Sequence, residues 1–138
     1  MTLQEFLNHN TVDGLTADVP VSSRFIDEAG KPMLFKIKAM TQNEFDALRK
    51  RCTKIMFERG QQKTEFDGVK FNMSIIVGQT VYPSFKDAQS LEALGCATPE
   101  SYVNKVLLPG EVSELLKQIN TLSGFDTDIN VLVEDAKN

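Results

Sequence analysis

The stretch from Arg24 to Phe45, RFIDEAGKPMLFKIKAMTQNEF, constrains the fold more than any other part of the chain. Asp27-Glu28-Ala29-Gly30-Lys31-Pro32 combines a glycine that tolerates positive φ with a proline that cannot donate to a strand ladder, so the chain reverses there. Beyond the reversal, Met33, Phe35, Ile37 and Ala39 alternate with Lys36 and Lys38, the period of a strand buried on one face. Thr41-Gln42-Asn43-Glu44 then fits a capping box, with Met40 and Phe45 placed as a hydrophobic staple. Turn, period, cap and staple agree on a β-hairpin that feeds directly into a helix.

A chain of 138 residues has the size of one domain able to bury a core without disulfides or metal. Leu3, Phe6 and Leu7 are spaced along one side of a short helical turn and are expected to pin the N-terminus to that core. Asn8 to Pro20, with its Asp13-Gly14 pair, reads as a loop, and Val21 to Asp27 as the first strand of a hairpin over residues 21–40. A helix over 41–59 follows from the stripe Phe45, Leu48, Cys52, Ile55 and Met56, stopped by Gly60; Gln61 to Gly68 reads as a polar, mobile connection. Periodicity alone does not separate helix from strand in the apolar run Val69 to Tyr82, but its length favours a helix over 69–81. Further helices are expected over 86–94, 99–107 and 110–123, with Thr98-Pro99 opening one and Gly124-Phe125 closing another by folding the Phe back. The expected fold is α+β and mainly α-helical: a small N-terminal antiparallel hairpin followed by a bundle of about five helices, in a single globular domain over 1–125. In the acidic remainder, 126–138, Ile129, Leu132, Val133 and Ala136 stand at i, i+3, i+4 and i+7. Such a helix is too short to hold itself in water, so it either docks on its own domain or serves another chain.

The formal net charge of −4 gives no field that would gather phosphates, and the one basic cluster, Arg49-Lys50-Arg51 with Lys54, reads as a solvated helix face. No apolar run approaches the roughly 20 residues a membrane helix needs, and Met1 to Asn10 lacks the pattern of a signal peptide. Two cysteines, Cys52 and Cys96, suit a reduced cytoplasmic protein. The sole histidine, His9, has no cysteine or carboxylate at ligand spacing, and the glycines form neither phosphate-binding pattern. Asp27, Glu28, Asp126 and Asp128 would make a metal site only if the fold gathered them. No catalytic, metal-ligating or cofactor-binding residue is nominated, and the residues lead to a non-enzymatic binding domain.

At RFIDEAGKPMLFKIKAMTQNEF the chain resembles the XkdN-like family of small tail assembly chaperones of contractile-tailed bacteriophages and defective prophages. The resemblance starts at Leu3 to Leu7 and runs through Ser22 to Pro32 and the exit from Lys36 or Lys38 to Thr41. It continues at Val81-Tyr82-Pro83-Ser84-Phe85-Lys86-Asp87-Ala88, Leu107-Leu108-Pro109-Gly110-Glu111 and Leu122-Ser123-Gly124-Phe125-Asp126. Ala29 departs from the pattern, where Asn is more usual in the turn. The resemblance implies a protein of the host cytoplasm that keeps the tape measure protein soluble while tail tube protein polymerises round it, without ATP, and is absent from the virion. Partner contact would involve Leu3, Phe6 and Leu7 and, at the other end, Ile129, Leu132 and Val133, the alternative being that both ends dock on their own domain. Self-association stays open. The rival readings are a structural tail component retained in the particle and a small nucleic-acid-binding regulator using Arg49, Lys50, Arg51 and Lys54.

Overall fold

The computed structural model describes residues 1–9 and 15–125, which form six helices and two small antiparallel sheets. A hairpin followed by a helical bundle is therefore only partly what the chain builds, since strands recur between the helices.

The first helix, α1 (Leu3–Asn8), starts at a capping box in which Thr2 Oγ1 accepts from the Glu5 amide and the Glu5 carboxylate accepts from the Thr2 amide, both at 3.1 Å. None of its residues is buried, contrary to the expected anchoring, because three apolar side chains on six residues offer little area to bury. Inside the segment read as a loop lies β1 (Thr16–Val19), paired antiparallel with β2 (Phe35–Lys38) in the register Ala17↔Ile37 and Val19↔Phe35. The Asp13-Gly14 turn falls outside the described residues.

The reversal at Gly30 is real, with φ +80, the Asp27 amide donating to the Lys31 carbonyl at 2.8 Å and Asp27 Oδ1 accepting from the amides of Ala29 and Lys31. The strand expected before it is not. Phe25 N donates to Ser22 O, a turn that breaks Val21 to Asp27, and the hairpin pairing shrinks to one bridge between Ile26 and Pro32. The central strand β2 therefore pairs with β1 and, across a register shift at Lys36/Ile37, with β5 (Thr80–Tyr82). Its alternation holds as expected, Phe35 and Ile37 buried and Lys36 and Lys38 exposed.

Thr41 caps α2 (Gln42–Arg51) through the expected box: Thr41 Oγ1 accepts from Glu44 N at 3.1 Å, and Glu44 Oε1 from Thr41 N at 3.2 Å. The helix stops at Cys52 instead of residue 59. Leu48 and Cys52 are buried as the stripe requires, but Ile55 and Met56 belong to β3 (Thr53–Glu58), which pairs with β4 (Gln61–Phe66). Arg59 and Gly60, at φ +53 and +78, make the two-residue turn whose twist suits a hairpin. The polar connection expected at 61–68 is thus largely a strand.

Asp67 caps α3 (Gly68–Gln79), which packs against α2, α5 and α6 and buries Ile75, Ile76 and Val77 in the core. After β5 come α4 (Ala88–Ala93), α5 (Pro99–Val106) and α6 (Pro109–Leu122). α6 touches α3 on one side and β1 and β2 on the other, so Leu115 and Ile119, both fully buried, join sheet to helices in one core. At its end Gly124 takes φ +94, Phe125 N donates to Asn120 O at 2.8 Å, and the Phe125 ring folds back to 5.2 Å from Phe45.

Candidate partner-binding surface

Three of the stretches that carry the family resemblance are far apart in sequence and meet in space. Arg24 and Phe25 from the first, Tyr82, Pro83 and Phe85 from the second, and Leu107 from the third line one groove of about 520 Å³, completed by Phe35 on β2 and Tyr102 and Val106 on α5. Its walls are mainly apolar, with five aromatic rings among them. Phe25 and Phe35 stack tilted with ring centres 5.1 Å apart, and the Arg24 guanidinium lies 4.6 Å above the Phe25 ring. Tyr82 at the rim is 65 % exposed whereas Phe85 beneath is buried.

One bidentate ion pair fixes this geometry. Arg24 donates from Nε to Glu111 Oε2 at 2.9 Å and from Nη2 to Glu111 Oε1 at 2.6 Å, and Nη2 also reaches the Val106 carbonyl at 2.8 Å. Glu111 stands in the first turn of α6, where the helix dipole favours a negative charge, and accepts the Leu108 amide at 2.8 Å. This is half a capping box, since Leu108 has no side-chain acceptor to return. The bond from Arg24 above all, with help from Leu108 and Ser22, outweighs burial and holds the Glu111 carboxyl down at about 2. The same bond raises the Arg24 guanidinium. Asp87 and Ser90 at the groove's edge are engaged in capping α4. The groove thus offers apolar walls and one clamped cation, a chemistry suited to holding an apolar side chain with a carbonyl or carboxylate beside it.

The β3–β4 hairpin forms a second exposed surface. In its register Thr53, Ile55 and Phe57 share a face with Gln62, Thr64 and Phe66, while Lys54, Met56 and Glu58 share the other with Gln61, Lys63 and Glu65. One face is uncharged; the other holds the Lys63–Glu58 ion pair at 2.8 Å. The hairpin meets the domain at its root, where Asp67 N donates to Cys52 O and Phe66 lies 5.2 Å from Phe71.

Of the residues nominated from sequence, Leu3, Phe6 and Leu7 are all more than half exposed on α1, and Ile129, Leu132 and Val133 lie outside the described residues. The groove was not foreseen, although the quoted stretches contain most of its lining. Arg49, Lys50 and Arg51 occupy the last turn of α2, where cations offset the helix dipole, with Arg49 bonded to Asp46 at 3.1 Å. Among the described residues no group of His, Cys, Asp and Glu is arranged to hold a metal ion, and no helix is long and apolar enough to cross a membrane.

The fold is that of a small mixed α/β domain with one apolar groove. Residues 3–137 match the family model described as Phage XkdN-like tail assembly chaperone protein, and the chain belongs to that family. It is 34% identical over 138 residues to the uncharacterized protein YqbN of Bacillus subtilis (strain 168) and 30% identical over 138 residues to the phage-like element PBSX protein XkdN of the same organism. Each alignment covers 99% of this chain and 93% of the relative. The crystal structure of YqbN superposes with a TM-score of 0.73 at 32% identity, covering 91% of this chain and 98% of that one.

Proposed function

We propose that this tail assembly chaperone acts by binding apolar helical segments of the tape measure protein, keeping them soluble in the host cytoplasm until tail tube protein displaces it, and that it is absent from the finished particle. The convergence of three family-like stretches on one aromatic groove carries this reading: an amphipathic helix would seat an apolar anchor between Phe25, Tyr82 and Tyr102, with Arg24 at the rim. The exposed Leu3 and Leu7 of α1 offer a further apolar stripe. Work of this kind makes and breaks no bonds, and mass action supplies the release.

Co-expression with a tape measure fragment tests it. The wild-type chain should raise the soluble fraction of the fragment several-fold, and Tyr82→Ala should remove most of that gain while leaving thermal unfolding nearly unchanged, because the side chain is mostly exposed. A fragment that precipitates equally with and without the chain would overturn the reading. One observation favours the structural alternative: each strand of the β3–β4 sheet has only one neighbour among the described residues, leaving edges on which a tube subunit could add. Mass spectrometry of purified particles separates the two, since a retained component is present in stoichiometric amounts.

A further inference from the structure

We infer that the outer side of β3 is a self-pairing interface, on which β3 of a second copy of this chain adds antiparallel in one register, giving a four-stranded sheet in the order β4-β3-β3-β4. The inference does not rest on the groove reading.

Among the described residues β3 pairs with β4 alone, and Lys54 to Glu58 are all exposed, so its outer side is open to a further strand. Two copies joined there about a two-fold axis normal to the sheet keep each face on its own side. Only registers that set uncharged residues against uncharged, and the Lys54-Met56-Glu58 face against its like, are then open. Centred on Met56, the join sets Lys54 opposite Glu58 of the second copy and Glu58 opposite its Lys54. On the uncharged face it sets Ile55 opposite Phe57, also twice, while Met56 meets itself. A slip of two residues leaves either Lys54 or Glu58 opposite Met56, and a slip of four sets Lys54 or Glu58 against itself. Opposite charges across the join therefore select one register.

The charges within the hairpin agree with it. Lys54 lies opposite Glu65 of β4, and Glu58 is bonded to Lys63 at 2.8 Å. The join places Lys54 between two carboxylates and Glu58 between two lysines, so the signs alternate across all four strands. The outer side of β4 is a poorer match: its charge-complementary register, centred on Thr64, pairs Lys63 with Glu65 but sets Gln62 against Phe66. Exposed ion pairs add little affinity, and the attraction comes from the new ladder together with Ile55 and Phe57, which are 61% and 76% exposed in the single chain. Six residues a side fall short of the roughly 800 Å² per partner of a standard interface, so the dimer is reversible.

Sedimentation velocity of the full chain should show a monomer at about 5 μM and a growing dimer fraction towards about 500 μM, the range suited to so small an interface. Lys54→Glu and Glu58→Lys, each alone, should raise the dissociation constant about tenfold or more, since each sets like charges opposite one another at both points. An equimolar mixture of the two variants should recover a heterodimer within about threefold of the wild-type constant, because opposite signs again face each other at both points. Any local effect on the hairpin is the same in the mixture as in each variant alone, so only pairing moves this readout. In a Cys96→Ser background, with Cys52 buried, Met56→Cys should close a disulfide-linked dimer on mild oxidation about tenfold faster than Thr64→Cys. A wild type that stays monomeric throughout overturns the inference and leaves this side of β3 to a different protein. A dimer that both single variants retain, or that the mixture fails to restore, overturns it too. Linking at Thr64 as fast as at Met56, or faster, overturns it in favour of β4.

Discussion

At the first turn of α6 the Glu111 carboxylate accepts from Arg24, from the Leu108 amide and from Ser22, which sets its folded pKa at about 2 against an ordinary value of 4.5. A carboxyl depressed on folding stabilises the native state above its unfolded pKa, so this contribution is intact at neutral pH and fades as pH falls from 4.5 through about 2. The shift corresponds to about 3 kcal/mol at most, reduced to roughly 1–2 kcal/mol because the Arg24 partner is half-exposed and screened. Urea midpoints measured between pH 6 and pH 3 should therefore fall in the wild type, and Glu111→Gln should flatten that slope. Arg24→Ala should lower the midpoint in the same measurement at neutral pH, since it leaves a carboxylate with 4% side-chain exposure without its counter-ion. Both residues stood inside stretches that sequence reading had singled out, but 87 positions separate them, and no local rule pairs residues at that distance.

Element by element, the capped helices were legible because their signals are local. Thr41 with Glu44, Thr98 with Pro99, and Gly124 with Phe125 each act within a turn of where they stand. The misreadings occurred where pairing is remote. β1 is four residues of alternating Thr, Ala, Asp and Val, too short and polar to declare itself without its partner β2. In β3, Ile55 and Met56 happened to continue the helical stripe of α2, while the competing alternation of Ile55 with Phe57 and the Arg59-Gly60 turn were the signals of a hairpin. The hairpin's stability can be separated from that of the core. Gly60→Ala places a Cβ at φ +78 with open space round it, so the cost is backbone strain of about 1 kcal/mol. Amide exchange within 53–66 should quicken accordingly, with the global melting temperature changed by less than a degree or two, as only the hairpin root packs on the domain.

Over the whole molecule, α6 is the member that touches both the three-stranded sheet and α3, and no division of the core falls between them. Denaturation should accordingly be a single transition, with far-UV circular dichroism and tyrosine fluorescence coincident. Leu115→Ala should lower that transition by about 2–5 kcal/mol without splitting it; two separable steps would show that sheet and helices fold apart. The groove escaped sequence reading for the same global reason: Arg24, Tyr82 and Tyr102 become neighbours only when the turn before the Ile26–Pro32 bridge, the end of β5 and α5 are assembled on one core. The β3–β4 ribbon has a bearing on dosage. Among the described residues neither outer margin has a strand neighbour, and Lys54, Glu58, Lys63 and Glu65 supply charge on one face only. Cells that manufacture this polypeptide in excess should see ribbons pair edge to edge, so a solubility ceiling is built into a member of a family described as tail assembly chaperones.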